Sequence, residues 1–169
     1  MVCSDFSQCQ IENVDNCLIR KKGCLGFKGK CSIVKCEENR KVYRLATGEA
    51  KVAKYHIDGG MINDTTKKCD FMIIVYGDEN KIIFVELKGK DTNHACDQLK
   101  STIDLIGKKF TNLKNKRFYA RIVNTKSVPG IKVTSHYKQL RVSLNLLNSK
   151  NGDYIKISSR ELNESLSNI

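Results

Sequence analysis

Cys69-Asp70-Phe71-Met72-Ile73-Ile74-Val75-Tyr76-Gly77-Asp78-Glu79-Asn80-Lys81-Ile82-Ile83-Phe84-Val85-Glu86-Leu87-Lys88 holds two unbroken apolar runs separated by Gly-Asp-Glu-Asn. Apolar runs of this length that do not alternate predict strands buried on both faces. The polar tetrapeptide between them predicts a hairpin. A hairpin sets the start of the first strand beside the end of the second, so Asp70 is expected to meet Glu86 and Lys88. Strand residues two apart share a face, which points Glu86 and Lys88 the same way.

Downstream, Asp91 or Thr92 is an N-cap candidate. Ala95, Leu99, Thr102, Ile103 and Ile106 recur at steps of three and four, predicting an amphipathic helix that ends near Gly107. Arg117-Phe-Tyr-Ala-Arg-Ile-Val predicts the next strand. Upstream, Val52, Ile57, Met61 and Ile62 form an extended segment broken by Asp58-Gly-Gly, and residues 63–68 read as a turn. The order from Lys51 to Val123 is strand, strand, strand, helix, strand. This is an α/β arrangement, a central mixed sheet flanked by helices, with further short strands in the first 50 residues. Between Lys35 and Ala50 the pattern fits a helix or another hairpin. After Pro129-Gly130, the tail carries Leu140 to Leu147, a turn at Asn151-Gly152, a strand at Tyr154-Ile-Lys-Ile, and a closing helix capped by Ser158 or Ser159 with Glu161. A single domain is expected, divided into an extension (1–50), a core (51–125) and a C-terminal elaboration (126–169).

The 169 residues carry 30 Lys and Arg against 18 Asp and Glu, a formal charge of +12 that favours polyphosphate partners through counterion release and steering. Six Tyr, six Phe and no Trp do not indicate a stacking platform for single strands. No run approaches the ~20 apolar residues of a membrane span. The N-terminus lacks the pattern of an export signal, so a cytoplasmic location is expected. Six of the eight cysteines (Cys3, Cys9, Cys17, Cys24, Cys31, Cys36) fall early in the chain. None forms a Cys-x-x-Cys pair, which favours reduced thiols over a structural zinc knuckle.

The carboxylates of Asp70 and Glu86, with the backbone carbonyl of Leu87, make an all-oxygen set suited to Mg²⁺ or Mn²⁺, which needs one or two carboxylates plus water and substrate phosphate. Alternation directs Cys69 away from such an ion. Lys88 adds a fixed positive charge able to stabilise a nucleophile or developing phosphoryl charge. Charges embedded in an apolar run are costly to leave unpaired, which argues against an idle strand end.

Cys69-Asp70-Phe-Met-Ile-Ile and Phe84-Val-Glu86-Leu-Lys88-Gly together resemble the two halves of the PD-(D/E)xK nuclease motif, over roughly Lys51 to Val123. Cys69 stands where that motif has proline. The resemblance implies a restriction-endonuclease-like core of a helix, three strands, a helix and a strand, and Mg²⁺- or Mn²⁺-dependent cleavage of nucleic acid, DNA ahead of RNA, in defence, mobile-element or repair processes. It implies Asp70 and Glu86 as metal ligands and Lys88 as the residue that positions or activates water. A polar residue on the following helix often belongs to such sites, for which Gln98 is the first candidate and His94 the second. Many members carry a further acid on the helix before the first strand, for which Glu37, Glu38 and Glu49 are candidates; Asp58, before Gly59-Gly60, is another, also reading as a turn residue. His56 and His136 have no partner in the sequence and are read as incidental. A non-catalytic nucleic-acid-binding or assembly module is the rival reading, and a homodimer or larger complex is left open.

Overall fold

The structure is a computed structural model and describes residues 25–61, 65–107 and 115–169. Strands β1 (Leu25–Lys30), β2 (Ile33–Glu38), β3 (Lys41–Ala46), β4 (Lys51–His56), β5 (Phe71–Val75) and β6 (Asn80–Leu87) precede helix α1 (Thr92–Ile106). Strand β7 (Lys116–Asn124), helix α2 (Ser135–Asn148) and strands β8 (Ile155–Ser159) and β9 (Glu161–Ser165) follow. They form a six-stranded sheet in the order β1-β4-β5-β6-β7-β8 and a three-stranded sheet in the order β2-β3-β9. β4, β5 and β6 are an antiparallel meander; α1 then carries the chain over so that β7 lies parallel to β6, and β8 continues parallel to β7.

Every residue of β5 is buried, as are the last six of β6, which matches the expectation for two central strands. Three layers result. Arg121 and Asn124, three positions apart on β7, point to opposite faces: Arg121 bonds Glu164 of β9, while the Asn124 amide donates to Thr92 Oγ1 of α1 at 2.8 Å. The small sheet therefore covers one face of the large one and the helices cover the other. α1 buries Ala95, Cys96, Leu99, Thr102, Ile103 and Ile106, and Asp91 caps it by accepting from the His94 N–H.

Lys35–Ala50 is a hairpin and not a helix. β2 and β3 turn through Asn39 and Arg40, both left-handed at φ 47° and 62°, as a two-residue primed turn requires. The extended segment from Lys51 stops at His56. Gly59 is left-handed at φ 69°, and a Cβ at Gly60 would meet the His56 carbonyl oxygen at 2.3 Å, so the turn that follows depends on glycine.

The predicted closing helix is instead β9. Arg160 adopts φ 63° and turns the chain, Ser158 Oγ donates to the Glu161 carbonyl rather than capping a helix, and residues 161–165 pair in parallel with β3. The C-terminal residues thus complete both sheets. Of the early cysteines, Cys3, Cys9, Cys17 and Cys24 lie outside the described residues; Cys31 and Cys36 are free thiols. Among the described residues no helix is long and apolar enough to cross a membrane.

Candidate active site

The register Phe71↔Val85, extended by one rung, sets Asp70 across from Glu86. Asp70 Oδ2 accepts a hydrogen bond from the Leu87 N–H at 2.7 Å, and Lys88 Nζ stands 3.9 Å from Glu86 Oε1. The hairpin thus brings the three expected residues to one place. Leu87 engages Asp70 through its N–H, while the role expected of its carbonyl rests on the sequence reading.

Glu86 is 1% exposed, and its Oε2 is buried with no hydrogen-bond partner. A buried carboxylate oxygen without a donor is costly in an ion-free protein. Burial pushes the Asp70 carboxyl up to about 6; the Leu87 bond and Lys88 pull it down, while Glu38 and Asp58 push it up. Glu86 is driven higher still, first by burial and then by the charge of Asp70, with Lys88 opposing. Such a pair favours protonation unless a cation arrives.

Asp70 opens onto a cleft of about 420 Å³ lined also by Glu38, His56, Asp58, Gly59 and Phe71. Glu86, Lys88 and Gln98 do not line it. Two of the four upstream acids therefore reach the site: Glu38 from the end of β2 and Asp58 from the glycine turn. Asp58 is not free, since Lys68 Nζ lies 3.6 Å from it. Glu37 pairs with Lys35 on the exposed side of β2, and Glu49 is exposed in the turn before β4.

Gln98 serves the backbone that leads into Asp70: its Nε2 donates to the Lys68 carbonyl at 2.8 Å. One residue on, Thr102 Oγ1 accepts from the Cys69 N–H at 2.8 Å, so α1 clamps the approach to the strand. The Cys69 thiol is directed to the Phe71 carbonyl at 3.5 Å. His94 contributes its backbone N–H to the Asp91 cap and is half-buried.

Two histidines read as incidental have partners. His56 lines the cleft with its ring 5.0 Å from that of Phe71, and burial, then Lys54, lowers its pKa. His136 bonds Asp97 at 2.7 Å, joining α2 to α1. Asn124 is a further residue that sequence reasoning missed: one rung beyond Leu87↔Val123, it stands beside Lys88, and its Oδ1 is buried without a partner. Its place at the end of a parallel strand next to the Glu-x-Lys strand was the available signal.

Among the described residues no group of three or more His, Cys, Asp or Glu side chains is gathered closely enough to hold a metal by itself. No protein-family model, curated protein or solved structure matches the chain.

Proposed function

We propose that the chain is a divalent-metal-dependent nuclease with a restriction-endonuclease-like core. The observation that carries the proposal is the Glu86 carboxylate, buried with an orphaned oxygen, opposite Asp70 and beside Lys88 at the end of a meander. The order β4-β5-β6-α1-β7, antiparallel until the final parallel step, supports the three strands, helix and strand of the core that the motif resemblance implies, while strands β1–β3 and not its opening helix precede β4 among the described residues.

Asp70, Glu86 and the Leu87 carbonyl would hold Mg²⁺ or Mn²⁺, which when bound supplies Lewis-acid charge to a phosphate and lowers the pKa of a water. Asp70 is kept in place by the Leu87 N–H, and its approach by Gln98 and Thr102. Lys88 sets its ammonium group next to Glu86, where it can orient a water or offset charge growing on the phosphate oxygens. The net charge of +12 draws the polyanion toward a cleft that is acidic at its centre.

Glu86 lies behind the cleft wall, and this favours the second reading of a nucleic-acid-binding module that keeps the fold without the chemistry. Incubation with plasmid, linear duplex, single-stranded DNA and RNA, in Mg²⁺, Mn²⁺, Ca²⁺ or EDTA, separates the two. Cleavage in Mg²⁺ or Mn²⁺ that stops in EDTA or Ca²⁺ is expected. Binding without cleavage in any metal would support the second reading, and cleavage persisting in EDTA would refute the metal-ligand roles.

A further inference from the structure

A second cleft, of about 480 Å³, opens at the carboxyl ends of β7 and β8 where α2 begins. Its floor is apolar, made by Ile131, Tyr137, Ile155 and Ile157, and its rim carries Lys126, Lys132, Ser127 and Ser159. Lys126 and Lys132 are exposed, and neither has a carboxylate partner among the described residues. Lys156 also borders the cleft but is paired with Glu164 at 2.8 Å, and Asp153 is the one acidic group in the lining.

The cleft shares a sheet edge with Glu86. Parallel partners point to the same face, and Glu86, Ile122 and Ile157 are partners across β6, β7 and β8. Glu86 and the cleft floor therefore lie on the helix-bearing face, two strands apart, or ~10 Å at the usual strand spacing. The loops that continue β6 and β7 are tied together, with the Thr125 N–H donating to the Gly89 carbonyl at 2.9 Å. A chain of phosphates leaving Lys88 would pass directly to Lys126 and Lys132.

We infer that this cleft holds one unpaired nucleotide of the substrate strand, roughly one or two positions from the scissile phosphate. The base and sugar rest on the apolar floor, and the flanking phosphates meet Lys126 and Lys132. The volume lies in the range of pockets for small organic ligands, which suits a single nucleotide. The inference rests on the nuclease reading and adds to it that the strand is single where it crosses β7 and β8.

Fluorescence anisotropy with a labelled single-stranded DNA dodecamer, in EDTA so that no cleavage occurs, tests it. The variants are Lys126→Ala/Lys132→Ala and a control pair, Lys30→Ala/Lys150→Ala, whose exposed lysines lie at the opposite end of the sheet. The cleft variant should bind about tenfold more weakly than the control and lose roughly 1.4 from the slope of log affinity against log salt, two phosphates at ~0.7 each. Its loss on the same strand in a blunt duplex should be smaller. Cleft and control variants that bind the single strand alike would overturn the site while leaving the nuclease reading intact. Equal losses on single strand and duplex would overturn the unpaired nucleotide. Failure of the wild-type protein to bind any nucleic acid would remove both readings together.

Discussion

Replacing Glu164 by alanine tests the polar link that holds the small sheet against the large one. Glu164 accepts from Arg121 Nε and from the Tyr43 hydroxyl at 3.0 Å, and pairs with Lys156 at 2.8 Å. The side chains of Arg121 and Glu164 are each 2% exposed. Removing one member of a buried pair leaves the other charge uncompensated, which costs about 3–5 kcal/mol. Lys156 is half exposed and returns to water, and Arg121 Nη1 keeps the carbonyls of Ala120 and Tyr154, so the middle of that range applies. Glu164→Ala should lose about 4 kcal/mol, or ~8–16 °C in Tm for a chain of this size. Urea and thermal unfolding at pH 7 measure it.

The pH dependence identifies the cause. Burial alone would raise the Glu164 pKa, but the hydrogen bond and charge of Arg121, aided by Lys156 and Tyr43, outweigh it and hold the carboxyl below its usual range. A carboxyl depressed in the folded state contributes stability that is complete above its unfolded pKa, ~4.3, and is lost as pH falls through the folded value. The gap between wild type and Glu164→Ala should therefore be constant above about pH 5 and shrink below pH ~4. A variant within about 0.5 kcal/mol of wild type at pH 7, or a gap that does not narrow in acid, would refute the reasoning.

Glu86→Gln should abolish cleavage and, in EDTA at pH 8, raise stability by about 1–2 kcal/mol, since it removes a group that must take up a proton to stay buried beside Asp70; a lowered Tm would count against that arrangement. Lys88→Ala should reduce cleavage at saturating DNA by at least ~100-fold while binding in EDTA stays within about threefold, measured by single-turnover kinetics and anisotropy. Gly60→Ala should cost about 1–3 kcal/mol, because its Cβ would collide with the His56 carbonyl; unchanged urea unfolding would show that the turn can shift.

The parts of the fold that could be read in advance are those whose evidence is local. The runs at Phe71–Val75 and Ile82–Leu87, the Gly-Asp-Glu-Asn turn and the periodicity of α1 lie within a few residues of one another, and all stand as expected. The meeting of Asp70 with Glu86 and Lys88 followed from the hairpin alone. Glu38 could be named only among alternatives, because its arrival depends on the small sheet folding over the large one. Gln98 was expected at the chemistry, and the bond its Nε2 makes to the Lys68 carbonyl is one that no helical spacing specifies.

Residues 158–165 mark the boundary between the two kinds of information. Ser-Ser-Arg-Glu has the local pattern of a helix start, yet the segment is a strand, because β3 offers an open edge and Arg121 needs a buried carboxylate. Both partners lie far away in the chain, Tyr43 at a separation of 121 residues and Arg121 at 43. Periodicity and turn chemistry are written residue by residue, so Asp70, Glu86 and Lys88 were legible as a group. Pairing across such distances depends on which edges and charges remain unsatisfied after the local elements form. That is why β9 and the cleft position of His56 emerged only with the assembled layers.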